Sequence, residues 1–144
     1  MKLEDIQGEW EKDARIDPTD LDSESLETPK LHAKWIRMLS AERMLLQKMR
    51  SDLKVLRHEK QEFYENGPDE VTEARGWKLP PKGRILKSDS GRWVDTDADV
   101  VALTLRIGIQ EEKVDVIISA VKEISGRGYR IRDAIEWRKF MAGN

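Results

Sequence analysis

TPKLHAKWIRMLSAERMLLQKMRSDLKVLRHEKQEFYENG, residues 28–67, is the stretch on which the reading of this chain turns. Thr28 followed by Pro29 predicts a helix start. A hydroxyl at the N-cap can accept from the free amides of the first turn, and a proline just after it gives up an N–H that would have no partner anyway. Asn66-Gly67-Pro68 predicts the stop, because asparagine or glycine takes the left-handed conformation and proline forbids continuation. Between these signals Leu31, Trp35, Met38, Leu45, Met49, Leu53, Leu56 and Phe63 recur at steps of three, four or seven, with Glu42 and Lys60 at the skipped places. The other faces carry Lys30, Lys34, Arg37, Arg43, Lys48, Arg50, Lys54 and Arg57, so one side needs an apolar partner and another needs an anion.

Charge is distributed in blocks. The net charge is −2, but residues 1–29 sum to −7, residues 30–60 to +6 and residues 61–144 to −1. Such asymmetry points to a polyanion or a protein partner, or to an acidic segment folded onto the basic helix of its own or a neighbouring subunit. Charged and hydrophobic residues each make up 38% of 144 residues, enough for one domain with a modest core. Without cysteine there is neither a disulfide framework nor a thiol nucleophile. No apolar run suggests a signal peptide or a membrane span.

The flanking segments divide the chain into four parts. Residues 1–27 read as an acidic helical segment, with Leu3, Ile6, Trp10 and Ala14 on one stripe, then one or two turns over 19–24 anchored by Leu21 and Leu26. Residues 28–67 are the long basic helix. Residues 68–109 read as a loop and a small antiparallel sheet: Ser88-Asp89-Ser90-Gly91 suggests a hairpin turn, and Val101, Leu103, Leu105, Ile107 and Ile109 alternate as in a half-buried strand. Residues 110–144 return to helical spacing, with one helix ending at Gly126-Arg127-Gly128 and a last one over about 131–141. The expected class is α+β and mostly helical: a long amphipathic basic helix, a small antiparallel β ribbon or meander, and C-terminal helices used for assembly.

A helix over residues 29–64 would be about 54 Å long, whereas a compact globule of this size is roughly 37 Å across. Either the helix bends near Ser40 or another subunit covers its protruding seam. The broad apolar face of the last helix, with Ile131, Ile135, Trp137, Phe140 and Met141, favours the second, so a homo-oligomer is expected.

Catalytic chemistry finds little support. His32 and His58 lie 26 positions apart with no metal-ligand spacing. Asp95, Asp97 and Asp99 imitate the start of a calcium loop, but Val100 and Arg106 stand at the glycine and terminal-acid places, and a turn between strands is the better account. Nucleic acid is the better-supported ligand. The cations of the long helix can neutralise successive phosphates, while Trp35, Phe63, Tyr64, Trp77 and Trp93 are rings on which unpaired bases could stack. A second basic cluster is Lys82, Arg84, Lys87 and Arg92. The other class of reading is a helical oligomeric adaptor that packs only protein.

MKLEDIQGEWEKD at the start, Ile16-Asp17, Thr19, Leu21, the Lys34-Trp35 pair in AKWI, and GRGYRIRDAIEWRKFMAGN at the end together resemble the UvsY family of recombination mediators of T-even-like phages. The resemblance implies a non-enzymatic homo-oligomeric ring without cofactors, working in the cytoplasm of an infected bacterial host. It further implies binding to single-stranded DNA and loading of a RecA-like recombinase onto DNA covered by single-strand-binding protein. The family's motif, a basic pair before an acidic-aromatic-aromatic triplet, falls on His58 and Lys60 ahead of Glu62-Phe63-Tyr64, with histidine in place of lysine at the first position and Arg57 and Lys54 beside it. With those four, Lys34, Arg37, Lys48 and Arg50 complete the candidate DNA-binding set.

Overall fold

Five helices account for all the regular structure in a computed structural model that describes residues 1–143: α1 (Leu3–Asp13), α2 (Leu21–Asn66), α3 (Glu70–Ala74), α4 (Ser90–Asp95) and α5 (Ala98–Met141). Asn144, the end of the C-terminal stretch quoted above, lies outside the described residues. The helices form two compact units. One comprises Met1–Leu45 with the chain from Ile109 onward; the other comprises Leu46–Gly108.

In the first unit, α1, the N-terminal part of α2 and the C-terminal part of α5 pack together. Ile6 and Trp35 are fully buried, and Trp10 meets Trp35 edge to face at 5.5 Å, a geometry that adds about 0.5–1.5 kcal/mol beyond area burial. The Trp35 indole N–H donates to Asp13 Oδ2 at 2.9 Å, which ties α1 to α2. Two polar pairs set the antiparallel register of α2 and α5. Arg127 donates to the Glu24 carboxylate, the Glu24 carbonyl and the Thr28 hydroxyl, and Gln110 donates to the Glu42 carbonyl at 3.0 Å and its carboxylate at 2.5 Å.

In the second unit Phe63, Tyr64, Ile85, Val94 and Val100 form the core, flanked by Leu53, Leu56, Trp77, Leu79 and Trp93. At the end of α2, Gly67 adopts φ +90° and its N–H returns to the Phe63 carbonyl at 2.9 Å, so the predicted stop is where the helix ends. The Ile85 amide donates to the Tyr64 carbonyl at 2.8 Å and draws the following loop onto the core.

The expected sheet does not exist: there is no strand among the described residues, and the class is all-helical. Residues 101–109 belong to α5, although their odd positions are all apolar. Val100, Ile107, Gln110, Val114 and Ile117 are buried and Leu103 half-buried, at steps of three and four, while Val101, Leu105 and Ile109 are exposed. Alternate apolar residues fit both periods; burial on one helical face decides between them, overriding β-branched propensity. The hairpin proposed around Ser88–Gly91 is replaced by α4. Its amides bond locally, Ser90 N–H to the Leu86 carbonyl at 3.0 Å and Thr96 N–H to the Arg92 carbonyl at 3.2 Å, rather than across a ribbon. Asp97 is therefore not in a turn between strands. It is the N-cap of α5, its Oδ1 accepting from the Asp99 and Val100 amides at 2.9 and 3.2 Å.

Two helix boundaries differ as well. α2 starts at Leu21, not at Thr28, and Pro29 lies inside it. Thr28 does not cap; its hydroxyl donates back to the Glu24 carbonyl at 3.4 Å and accepts from Arg127. The carbonyl of Ser25, which Pro29 deprives of a donor, belongs to an exposed residue that solvent can reach. Gly126-Arg127-Gly128 does not end a helix, because Arg127 is buried and anchored to α2, and α5 continues through it. Leu26, expected as an anchor, is 81% exposed, while Leu21 is buried.

Two glycine substitutions test these helix assignments with opposite signs. Gly67→Ala should cost about 1–2 kcal/mol, since a Cβ at positive φ is strained. Gly108→Ala should stabilise by about 0.5–1 kcal/mol, since this glycine is inside a helix with nothing within 4 Å of an added Cβ. Urea unfolding followed by circular dichroism measures both.

Candidate nucleic-acid interface

The seam of α2 sorts its cations. Trp35, Leu39, Leu46, Met49, Lys60 and Phe63 are buried, and Glu42, Leu53 and Leu56 half-buried, so the two skipped places are full members of the seam. Lys60 is only 3% exposed. Its ammonium lies 3.2 Å from Asp97, 2.8 Å from Asp99 and 3.7 Å from the centre of the Trp77 ring. The Tyr64 hydroxyl donates to the same Asp97 carboxylate at 2.7 Å. Burial alone would raise the Asp97 carboxyl, but the Tyr64 hydroxyl, the Val100 amide and Lys60 together hold it below the usual carboxylate range. Burial, then the hydrogen bond to Asp97 and its charge, push the Tyr64 phenol above its usual range. Of the candidate DNA-binding residues, then, Lys60 is spent inside the second unit.

Lys34 is also engaged. Its ammonium is 2.6 Å from Asp13 and 3.0 Å from Glu9, and the Asp13 hydrogen bond, opposed by burial and assisted by Glu9, raises its pKa. Arg37 is exposed in the same unit.

In the second unit Arg50, Lys54 and Arg57 recur at steps of four and three, which puts them on one face of α2 over about 10 Å of helix axis. Arg50 and Lys54 are exposed, and half-buried Arg57 bonds Asp95 of α4 at 2.6 Å. Lys48 lies on a different face and pairs with Asp52 at 2.8 Å. His58 is exposed at a cleft of about 420 Å³ shared with Glu59, Glu62, Asp69 and Arg75, where carboxylates outnumber cations. Arg75 is bonded to Glu59 there.

The second basic cluster separates into two pairs. Lys82 and Arg92 line an open cleft of about 290 Å³ with Trp93 and Thr96, the Lys82 ammonium 5.1 Å from the Trp93 ring centre. Arg84 and Lys87 are exposed elsewhere on the connecting loop, and neither lines that cleft. Of the rings offered for stacking, Trp35, Phe63 and Tyr64 are buried, and the face of Trp77 is taken by Lys60; Trp93 borders an open cleft lined by two cations, Lys82 and Arg92. Among the residues expected to join subunits, Ile131 is buried in its own unit and Ile135 half-buried. Trp137, Phe140 and Met141 are 62–68% exposed, with Trp137 and Phe140 stacked at 5.6 Å.

Sequence reading missed the polar register pairs, Glu24–Arg127, Glu42–Gln110 and Lys60–Asp97. The signal was present as polar residues at seam positions, but their partners lie between 37 and 103 residues away. Among the described residues no group of three or more histidine, aspartate or glutamate side chains is placed to hold a metal, and no helix is long and apolar enough to cross a membrane.

The Lys60 cluster predicts a stability phenotype. Lys60→Ala should lower the unfolding free energy by about 3 kcal/mol, because it strands Asp97 in the core, whereas Lys54→Ala should change it by less than about 0.5 kcal/mol. The cluster also predicts two pH limits. A depressed carboxyl stabilises above about pH 4 and that contribution is lost as pH falls further; a raised phenol stabilises below about pH 10 and is lost as pH rises. Urea midpoints across pH should show both limbs, and Asp97→Asn should flatten the acidic one.

The family model described as recombination, repair and ssDNA binding protein UvsY matches residues 9–144. Recombination protein uvsY of Enterobacteria phage T4 is 27% identical over 143 residues, covering 99% of each chain. A crystal structure of the bacteriophage T4 recombination mediator protein UvsY (lattice type II) superposes with a TM-score of 0.82 at 25% identity, covering 99% of this chain and 98% of the other. A second lattice form (type I) gives a TM-score of 0.80 at 23% identity over 95% and 98%, a likeness of fold. The chain belongs to the UvsY family of phage recombination and repair proteins.

Proposed function

We propose that this chain binds single-stranded DNA through the exposed cations of α2 and acts as a recombination mediator, helping a RecA-like recombinase load onto DNA covered by single-strand-binding protein. The observation that carries the reading is that Arg50, Lys54 and Arg57 lie on one face of α2 at the surface of the second unit, whereas Lys60 is buried in its core. Lys48, on another face of α2 in the same unit, and His58, at the edge of the row, add peripheral contacts. Single strands fit better than duplex because a flexible backbone can follow a short row of charges that reads no groove.

Self-association belongs to the same reading. Trp137, Phe140 and Met141 leave a broad apolar surface at the end of α5, which a neighbouring copy would cover, with Ile131 and Ile135 supporting it from within. An array of copies, a ring in this reading, brings many weak phosphate sites to one strand at high effective concentration, so modest contacts sum to firm binding. DNA held that way would loosen single-strand-binding protein and expose backbone to the recombinase. The protein works as a binder rather than an enzyme, without a cofactor, in the cytoplasm of the infected bacterium.

Fluorescence anisotropy with labelled single- and double-stranded oligonucleotides tests this. Single strands should bind more tightly, with log affinity falling against log salt by about 0.7 per phosphate contact. Arg50→Glu with Lys54→Glu should weaken binding at least tenfold and flatten that slope, with the sedimentation profile unchanged. Equal binding by the variant moves the site off this row; no salt-sensitive binding by the wild type would favour a protein-only adaptor.

A further inference from the structure

We infer that Trp93, with Lys82 and Arg92, forms a stacking site for one unpaired nucleobase, an inference that rests on the single-stranded DNA reading and assigns it a base contact. Four tryptophan rings are otherwise committed. Trp35 is buried, Trp10 lies against it, Trp77 is covered by Lys60 and edged by Phe63, and Trp137 is stacked on Phe140. Trp93 is half-buried, inclined to Tyr64 at 6.1 Å and 46°, and borders a cleft open to solvent.

The charge at this ring differs from that at the others. Lys34, Lys60 and Arg75 each approach a tryptophan ring while paired with a carboxylate. Lys82 approaches Trp93 with no carboxylate partner among the described residues. An ammonium held over an indole without a counter-ion beside an open cleft is a place for an anion next to a π-face, which is the chemistry of a nucleotide. Arg92 supplies a second exposed cation on the cleft wall, bonded to Asp89 at 3.4 Å. The cleft, about 290 Å³, lies at the small end of ligand sites and suits one base rather than several.

The site also adjoins the phosphate row. Arg57 of α2 bonds Asp95 of α4, and Asp95 shares a face of α4 with Arg92, three residues earlier. A strand following Arg50, Lys54 and Arg57 can therefore turn one base toward Trp93 while its flanking phosphates meet Lys82 and Arg92.

The test compares an oligodeoxythymidylate with an abasic deoxyribose-phosphate oligomer of equal length, reading affinity by anisotropy and tryptophan emission in the full-length protein. The wild type should bind the thymidylate about tenfold more tightly than the abasic strand, with quenching by the thymidylate only. Trp93→Leu should lose about tenfold for the thymidylate, lose that quenching and leave abasic affinity unchanged; Trp93→Phe, which keeps a ring, should recover most of the affinity. Lys82→Gln with Arg92→Gln, both at exposed places and safe for folding, should reduce affinity for both oligomers and lessen the quenching. Thymidylate binding and quenching that are the same in Trp93→Leu, or in the Lys82→Gln/Arg92→Gln variant if Trp93→Leu does not fold, would overturn the stacking site and leave the DNA reading standing. Failure of the wild type to bind either oligomer would overturn both.

Discussion

A seam of alternating three- and four-residue steps runs along each long helix, and it admits a polar side chain only where another polar group meets it. That constraint governs the molecule. In the first unit Arg127 meets Glu24 and Thr28, and Gln110 meets Glu42; in the second Lys60 meets Asp97 and Asp99. Burying one of the charged members alone would cost several kcal/mol, and a neutral one about 1–3 kcal/mol, so a register that slid one heptad would be heavily penalised. Apolar residues set the attraction between the helices. Polar ones select a single alignment from several that leucine and isoleucine would accept.

The same constraint divides the basic residues by task. Lys34 and Lys60, both prominent in the basic stretch, are drawn into carboxylate cages and hold helices together. Lys54 and its neighbours on the row have no place in the seam and stay at the surface. Local acidity then shapes what remains: His58 looks onto a cleft rich in carboxylates, whereas the cleft at Trp93 is lined by Lys82, Arg92 and Thr96 with no carboxylate in its wall. A formal charge of +6 over residues 30–60 is therefore a poor measure of the field a polyanion would meet. Position relative to the seam matters more than the count, because a paired buried charge projects little outward.

Much of the fold was legible in the residues alone. α1, the stop at Asn66-Gly67, the apolar side of α2 and the helical character beyond Gln110 follow from periodicity and from the one backbone conformation glycine adopts without strain. The ladder of apolar residues over 101–109 was ambiguous by construction, since alternate positions satisfy a period of two while every third or fourth satisfies a helix. Val100, buried in the core, and Gln110, buried against Glu42, continue the helical register at either end. Pro29 misled for a related reason: proline after threonine has the composition of a helix start, and only Arg127, 99 residues from Thr28, shows that turn to be internal.

By itself, then, the sequence determined where helices are possible, which sides of them are apolar and which segments are acidic or basic, because those properties depend on residues within one or two turns of each other. The tertiary structure alone decided that the residues over 101–109 are helix rather than strand, that Lys60 is an interior ion and that Trp93 borders a cationic cleft. Each of those outcomes depends on groups that are distant along the chain and meet only when the helices pack, and burial changes the energy of a charge or a ring far more than its neighbours in sequence can.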